Sequence, residues 1–429
     1  MSPVPDHPLR FKLANELHAR PFPTVTAPSR AVYLALKPAQ NAAARDRDAD
    51  RAHLLDLLDR HGASHPPVGA THWFGELGKH HLKWESHTEF VTYTMFSDGV
   101  AERPFDPASF DVFPDDWLAA APGTRMTSAL IRIEQAADFD GVVDRAHAWF
   151  VTESLALSSV LDGELVLGSD FRIDSAGHMR FAIWARPDIS DRRIGRVVQR
   201  LCEVETYKAM AMLGLARARD LGPRMGDLDQ QLTSLMADMS GQMAQPDHTL
   251  HSLLSIAAAL ENMIAQTSFR FGATQAYETI VNQRIQVLRE ERFEGRQTFA
   301  EFMTRRFDPA MRTVHSTERR LQAMADRAIR AGDLLRTRVD VERSAQNQAL
   351  LASMDRRADL QLRLQRTVEG LSVVAISYYA LNLLLYLVKP LADNAGLSQP
   401  ATAAIAVPLV IAVVWALVRR VRRGMDEGN

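Results

Sequence analysis

The sequence predicts an α+β or α/β sandwich over residues 1–188, a long-helix all-α stalk over 189–370 and a two-helix membrane hairpin over 371–418. Three observations predict it. Strand-like runs alternate with amphipathic patterns up to Asp188, as in a layered α/β domain. From 189 to 370 strand signals vanish, prolines are few, and Ala, Arg, Gln, Leu, Met and Glu dominate. Residues 371–388 and 401–418 then form two runs of 18 residues without a charge. At 1.5 Å rise per residue each run reaches about 27 Å, close to the roughly 30 Å hydrocarbon core of a bilayer.

In the first region, Asp6 is placed to cap a short helix with Pro8 in its first turn, Leu9, Leu13 and Leu17 on one side, and Pro21 and Pro23 ending it. "RAVYLAL" (30–36) reads as a strand. Residues 41–61 read as an amphipathic helix, with Leu54, Leu55, Leu57 and Leu58 inward, Arg45, Arg47, Asp48 and Arg51 outward, and Gly62 at its end. "HLKWESHTEFVTYTMF" (81–96) is the longest strand signal. Residues 97–125 look like a loop, 126–134 a strand and 138–150 a helix; 164–174 and 178–186 are strands joined as a hairpin through Ser175, Ala176 and Gly177.

The second region reads as helices near 189–221, 224–241, 248–295 and 298–370. The last continues into the first apolar run, with Gly370 as the weak point at that junction, at about 1 kcal/mol against alanine. Acidic residues are interspersed among its arginines, the pattern of a solvated or salt-bridged face. Long amphipathic helices beside a hairpin predict a coiled-coil homo-oligomer.

Arg363 and Arg366 precede the first apolar run, and Arg419, Arg420, Arg422 and Arg423 follow the second; the linker's only basic residue is Lys389. The positive-inside bias puts both termini, including the basic tail 419–429, in the cytoplasm, and makes the lipid bilayer a partner. The first twenty residues hold Asp6, Arg10, Lys12, Glu16 and Arg20 and no apolar signal core. The net charge of −2 gives no sign of a nucleic-acid partner. Cys202 is the only cysteine, which excludes an intrachain disulfide and a Cys-based zinc or iron–sulfur site within one subunit.

Two stretches carry candidate chemistry. In "KWESHTEF" (83–90) Glu85, His87 and Glu89 fall on one face if the segment is a single strand. That face is either the polar outside of an ordinary sheet or a ligand face, where His87 and Glu89 would hold a divalent metal of the Zn, Mn or Fe(II) kind, with His72, His80 and His81 nearby. "NELHARP" (15–21) offers Glu16, His18 and Arg20. His18 or Arg20 could meet Glu85 or Glu89 in one ligand-binding pocket, or Arg20 could pair with a carboxylate while Leu13 and Leu17 dock the helix. In the first membrane run Asn382, one turn after Tyr378, is a buried amide that needs a partner, from a second helix or along a pore. P-loop, dinucleotide, nucleophile-elbow and HExxH patterns are absent, and no catalytic set or cofactor is identified.

"HPLRFKLANELHARP" (7–21), "LKWESHTEF" (82–90) and "NQALLASMDRRADLQLRLQRTVEGLSVVAISYYALNLL" (347–384) resemble the signatures of a bacterial family of uncharacterised membrane-anchored proteins, catalogued as a domain of unknown function. The resemblance covers the whole chain. It implies a membrane-anchored protein with a cytoplasmic N-terminal part, and no activity; the reading as a whole is a bacterial inner-membrane protein. The layout is also similar to that of the CorA-type magnesium transporters, whose pore helix ends in Gly-Met-Asn; here Ala380-Leu381-Asn382 matches only the asparagine. The expected function is a membrane-anchored scaffold or sensor with a ligand- or partner-binding cytoplasmic domain. The alternatives are a divergent cation channel and a metal-assisted enzyme on the 85–89 face.

Overall fold

The computed structural model describes residues 4–16, 22–40, 42–239, 246–394 and 398–426. The chain forms two compact units, 1–332 and 333–429. The first unit crosses residue 188, where the composition changes.

Its centre is a nine-stranded sheet in the order β2-β3-β4-β1-β5-β8-β7-β6-β9. The strands are β1 (Ser29–Lys37), β2 (His72–Leu77), β3 (His80–Ser86), β4 (Val91–Asp98), β5 (Thr124–Gln135), β6 (Ala156–Val160), β7 (Leu165–Ser169), β8 (Met179–Ala185) and β9 (Glu291–Arg292). Only β5 and β8 pair in parallel; the other ladders are antiparallel. The short helices are α1 (Arg10–Glu16), α2 (Arg47–Arg60), α3 (Asp115–Ala119) and α4 (Val142–Trp149). The long ones are α5 (Asp191–Met239), α6 (Pro246–Gln286), α7 (Phe299–Asn394) and α8 (Gln399–Asp426).

The period-2 alternation of β1 divides its side chains between two cores. Val32, Leu34 and Leu36 pack with Leu54, Leu57 and Leu58 of α2 and with Trp117 of α3. Tyr33 and Ala35 face the other way, with Val197, Val198, Leu201 and Cys202 of α5. A third cluster puts Val142 and Ala146 of α4 against Val166 and Trp184. The sheet is therefore covered on both faces, by α2, α3 and α4 on one and by α5 on the other. Gly214 sets the approach of α5 to α6, because a Cβ there would lie 2.3 Å from the Thr274 hydroxyl. Cross-helix pairs join α7 to both: Arg320 and Arg327 reach Asp229, at 2.8 and 2.5 Å, and His315 reaches Glu278 at 2.6 Å.

Several expectations need correction. The run 81–96 is two strands, β3 and β4, joined by a tight turn at 87–90 and closed by His87 N–H donating to the Phe90 carbonyl at 2.9 Å. Thr88-Glu89 carries none of the Asn-Gly or Gly signals of tight hairpins, so the alternation hid the turn. Helix α5 continues through Pro223, expected as a break. An internal proline costs about 3 kcal/mol, and burial of Leu221 and Met225 on either side offsets it. The last part of the expected helix 248–295 is instead a connection holding β9, which pairs with β6. The loop-like 97–125 contains α3 and the fully buried Trp117. Arg45 is not an outward helix residue: it precedes α2, and its side chain is 2% exposed. Leu13 of α1 is 61% exposed rather than docked.

In the second unit α7 continues without interruption to Asn394 and α8 follows. Both are long and apolar enough to cross a membrane. Residues 340–352 of α7 are exposed, including Val341, Leu350 and Leu351. Val410 and Val414 are buried on α8.

Candidate functional site

Four residues of the signature run, Lys83, Glu85, His87 and Phe90, line a cleft between the sheet and α5. The alternation of β3 points Trp84 into the α2 core and Lys83 and Glu85 the other way, where α5 covers them. The face is therefore neither wet nor open. The Lys83 ammonium sits 3.1 Å from Glu85 Oε2 and donates to Gln199 Oε1 at 2.7 Å. Gln199 in turn donates to Glu203 at 2.8 Å, and Arg284 of α6 pairs with Glu203 from the other side. Further along α5, Glu205 accepts from Thr127 at 2.9 Å and pairs with Lys208 at 2.5 Å. Tyr33 and Thr206 share a hydroxyl–hydroxyl bond. Buried ionic layers of this kind gain little net stability but are costly to break singly.

The turn 87–90 is held from both sides. Arg45 donates to Ser86 Oγ at 2.9 Å, to the Phe90 carbonyl at 3.1 Å and to the His87 carbonyl, and pairs with Asp50 at 2.5 Å. On the opposite side Glu89, 1% exposed, receives Arg270 Nη2 at 2.5 Å and the Tyr277 hydroxyl at 3.3 Å, both from α6. The His87 ring stacks on Phe90 at 4.4 Å and Tyr207 stacks on Tyr277 at 5.4 Å. Burial, and then the Glu89 carboxylate, push the Tyr277 hydroxyl well up, so it stays protonated and donates.

Glu85, His87 and Glu89 thus do not share one strand face. Glu85 lies in β3 and lines the cleft; His87 and Glu89 lie in the turn, and Glu89 is committed to α6. Among the described residues no group of three or more His, Cys, Asp or Glu could hold a metal ion, so the metal set expected at His87 and Glu89 has no support there. His18 and Arg20 lie outside the described residues, as does the side chain of Glu16. Cys202 lines the cleft, but burial pushes its thiol well up, the reverse of an activated nucleophile. In the second unit Tyr378 is 64% exposed and Asn382 is half-buried.

Reading from the sequence missed Arg45, Arg270 and Tyr277. Arg270 lies 181 residues from Glu89, and no local spacing signals that pairing. Lys37, at the end of β1, was also missed; burial, and then the neighbouring Arg270, hold its ammonium below the usual lysine range.

A family model covers residues 5–425. The chain belongs to the DUF3422 family, proteins of unknown function. The three signature stretches fall within the matched DUF3422 region, and the second of them contains the buried turn. No curated protein and no solved structure matches the chain.

A further buried carboxyl sits under α7. Glu290 Oε2 accepts from the Ala300 N–H at 2.8 Å, while Oε1 is buried without a hydrogen-bond partner. Burial pushes this carboxyl from its ordinary 4.5 up to about 7. An acid whose pKa is raised on folding contributes fully below the unfolded value and loses that contribution as pH rises through the folded value. Wild-type protein should therefore lose about 3 kcal/mol between pH 4.5 and 7 relative to Glu290→Gln. Urea unfolding of both proteins at both pH values measures it; parallel pH profiles would refute the assignment.

Proposed function

We propose that the chain is a membrane-anchored scaffold or sensor whose signature turn ties a ligand- or partner-binding sheet domain to the helices leading into the bilayer. The observation that carries this reading is the burial of Glu89 between the turn and α6, where it is held by Arg270 and Tyr277. α6 packs with α7, and α7 runs without a break into the first apolar segment. A change at the turn thus has a continuous helical route toward the membrane. The cleft beside it has accessible space of about 20 Å³, little more than one water, so a ligand or partner would act on the turn from outside the cleft. The buried Cys202 thiol and the engaged carboxylates favour binding over catalysis.

In this reading the 371–388 and 401–418 segments form a hairpin in a bacterial inner membrane, with both chain termini cytoplasmic. Asn382 hydrogen-bonds within the helical assembly rather than lining a pore. The exposed Leu351, Met354 and Leu362, at helical spacing on α7, meet a second copy of the chain.

A reporter active only outside the cytoplasm should work when inserted in the linker between the two segments and fail at the C-terminus. Removing residues 371–429 should release the protein from membranes, and the full chain should sediment as an oligomer. Reporter activity at the C-terminus, or a full chain that stays in the soluble fraction, would contradict the reading.

A further inference from the structure

A groove of about 840 Å³, open to solvent, is lined by the end of β1, the segment after it, and the α5–α6 pair. Lys37, Arg217 and Arg270 line it, with Gln40 and Gln266. Lys37 is 8% exposed, and its ammonium reaches the Pro38 carbonyl at 3.0 Å. Arg270 gives Nη2 to Glu89 and keeps Nη1 buried with no hydrogen-bond partner. Arg217 is half-buried on α5. Among the described lining residues the only carboxylate is Asp220, which is exposed.

Three cations therefore border one groove, and one of them, Arg270, carries a buried donor that has no acceptor. Burying such a donor unmet is costly, and a guanidinium fork beside a point-charge ammonium is the arrangement that suits a tetrahedral oxyanion. We propose that this groove binds a phosphate group, either free or carried on a lipid headgroup. The phosphate oxygens would take Arg270 Nη1 and the ammonium of Lys37, with Arg217 at the mouth. Because Arg270 also holds Glu89, an occupied groove would tighten the same guanidinium that anchors the turn. The proposal does not depend on the membrane reading.

The test uses the full-length protein in detergent, with thermal unfolding and calorimetric titration at constant ionic strength. Inorganic phosphate replacing chloride should raise the unfolding midpoint by about 4 °C at roughly 100 times its Kd. Lys37→Met, which keeps the side-chain stem, and Arg217→Gln, at the half-buried mouth, should each weaken binding by about tenfold. A water-soluble short-chain phosphatidate is the second probe: tighter binding than inorganic phosphate assigns the lipid source, and equal binding assigns the free ion. No midpoint shift with either probe, or unchanged affinity in a folded Arg217→Gln protein, would overturn the site.

Discussion

Glu89→Ala is expected to lower the stability of the first unit by about 3–5 kcal/mol, because it strands Arg270 without its buried counter-charge. The loss falls on a group with no substitute: Arg270 Nη1 already lacks a partner, and Lys37 adds like charge nearby. Tyr277 loses its acceptor as well. Replacing both ends with apolar groups removes the stranded charge, so Glu89→Leu with Arg270→Leu should cost less than the sum of the single changes. Chemical denaturation of the four proteins forms the cycle, and a coupling of about 0.5–3 kcal/mol is expected. Additivity within error would show that the ion pair is not what holds the turn.

Arg45→Met should be comparably damaging, at about 3–5 kcal/mol, for a different reason. One guanidinium there satisfies two backbone carbonyls, the Ser86 hydroxyl and Asp50. Its removal takes the guanidinium from the His87 carbonyl, leaves the Phe90 carbonyl with only the His87 N–H, and leaves Asp50 buried without its ion-pair partner. Burial already pushes the Asp50 carboxyl up, and Arg45 opposes that push. Without Arg45 the folded-state pKa rises further. Stability is then retained at low pH, where Asp50 is protonated, and lost as pH rises through the new value. The deficit of Arg45→Met should therefore be smaller at pH 4 than at pH 7, and Asp50→Asn in the same chain should flatten that dependence. Equal deficits at both pH values would show that Asp50 does not depend on Arg45.

The elements that were legible in the sequence are those with long, uninterrupted patterns. β1 and β5 announce themselves by apolar and β-branched runs, and α7 by helical spacing that never breaks before the apolar segment. The layered domain, the long helices and the two apolar helices follow from these. The site was only half legible. The signature run drew attention to Glu85, His87 and Glu89, yet alternation through Thr88-Glu89 imitates a continuous strand, and neither residue carries a turn signal. What makes the turn there is tertiary: Arg45 collects its carbonyls, and α6 receives its carboxylate. Arg45 itself read as one of several surface arginines on a helix, because nothing local distinguishes a buried guanidinium from a solvated one. Pro223 misled for the opposite reason, since packing on both sides holds a helix that propensity alone would end.

The central claim is that the 87–90 turn and the long helices behave as one mechanical element. Hydrogen exchange of the full-length protein, wild type against Glu89→Gln, tests it most directly. The account predicts faster exchange both at 87–90 and along α6 around Arg270 and Tyr277, extending into the α7 segment that pairs with α6 through His315 and Glu278. The α4 layer, which does not touch the turn's carboxylate, should be unchanged. Faster exchange confined to residues 87–90, with α6 and α7 as protected as in wild type, would contradict it.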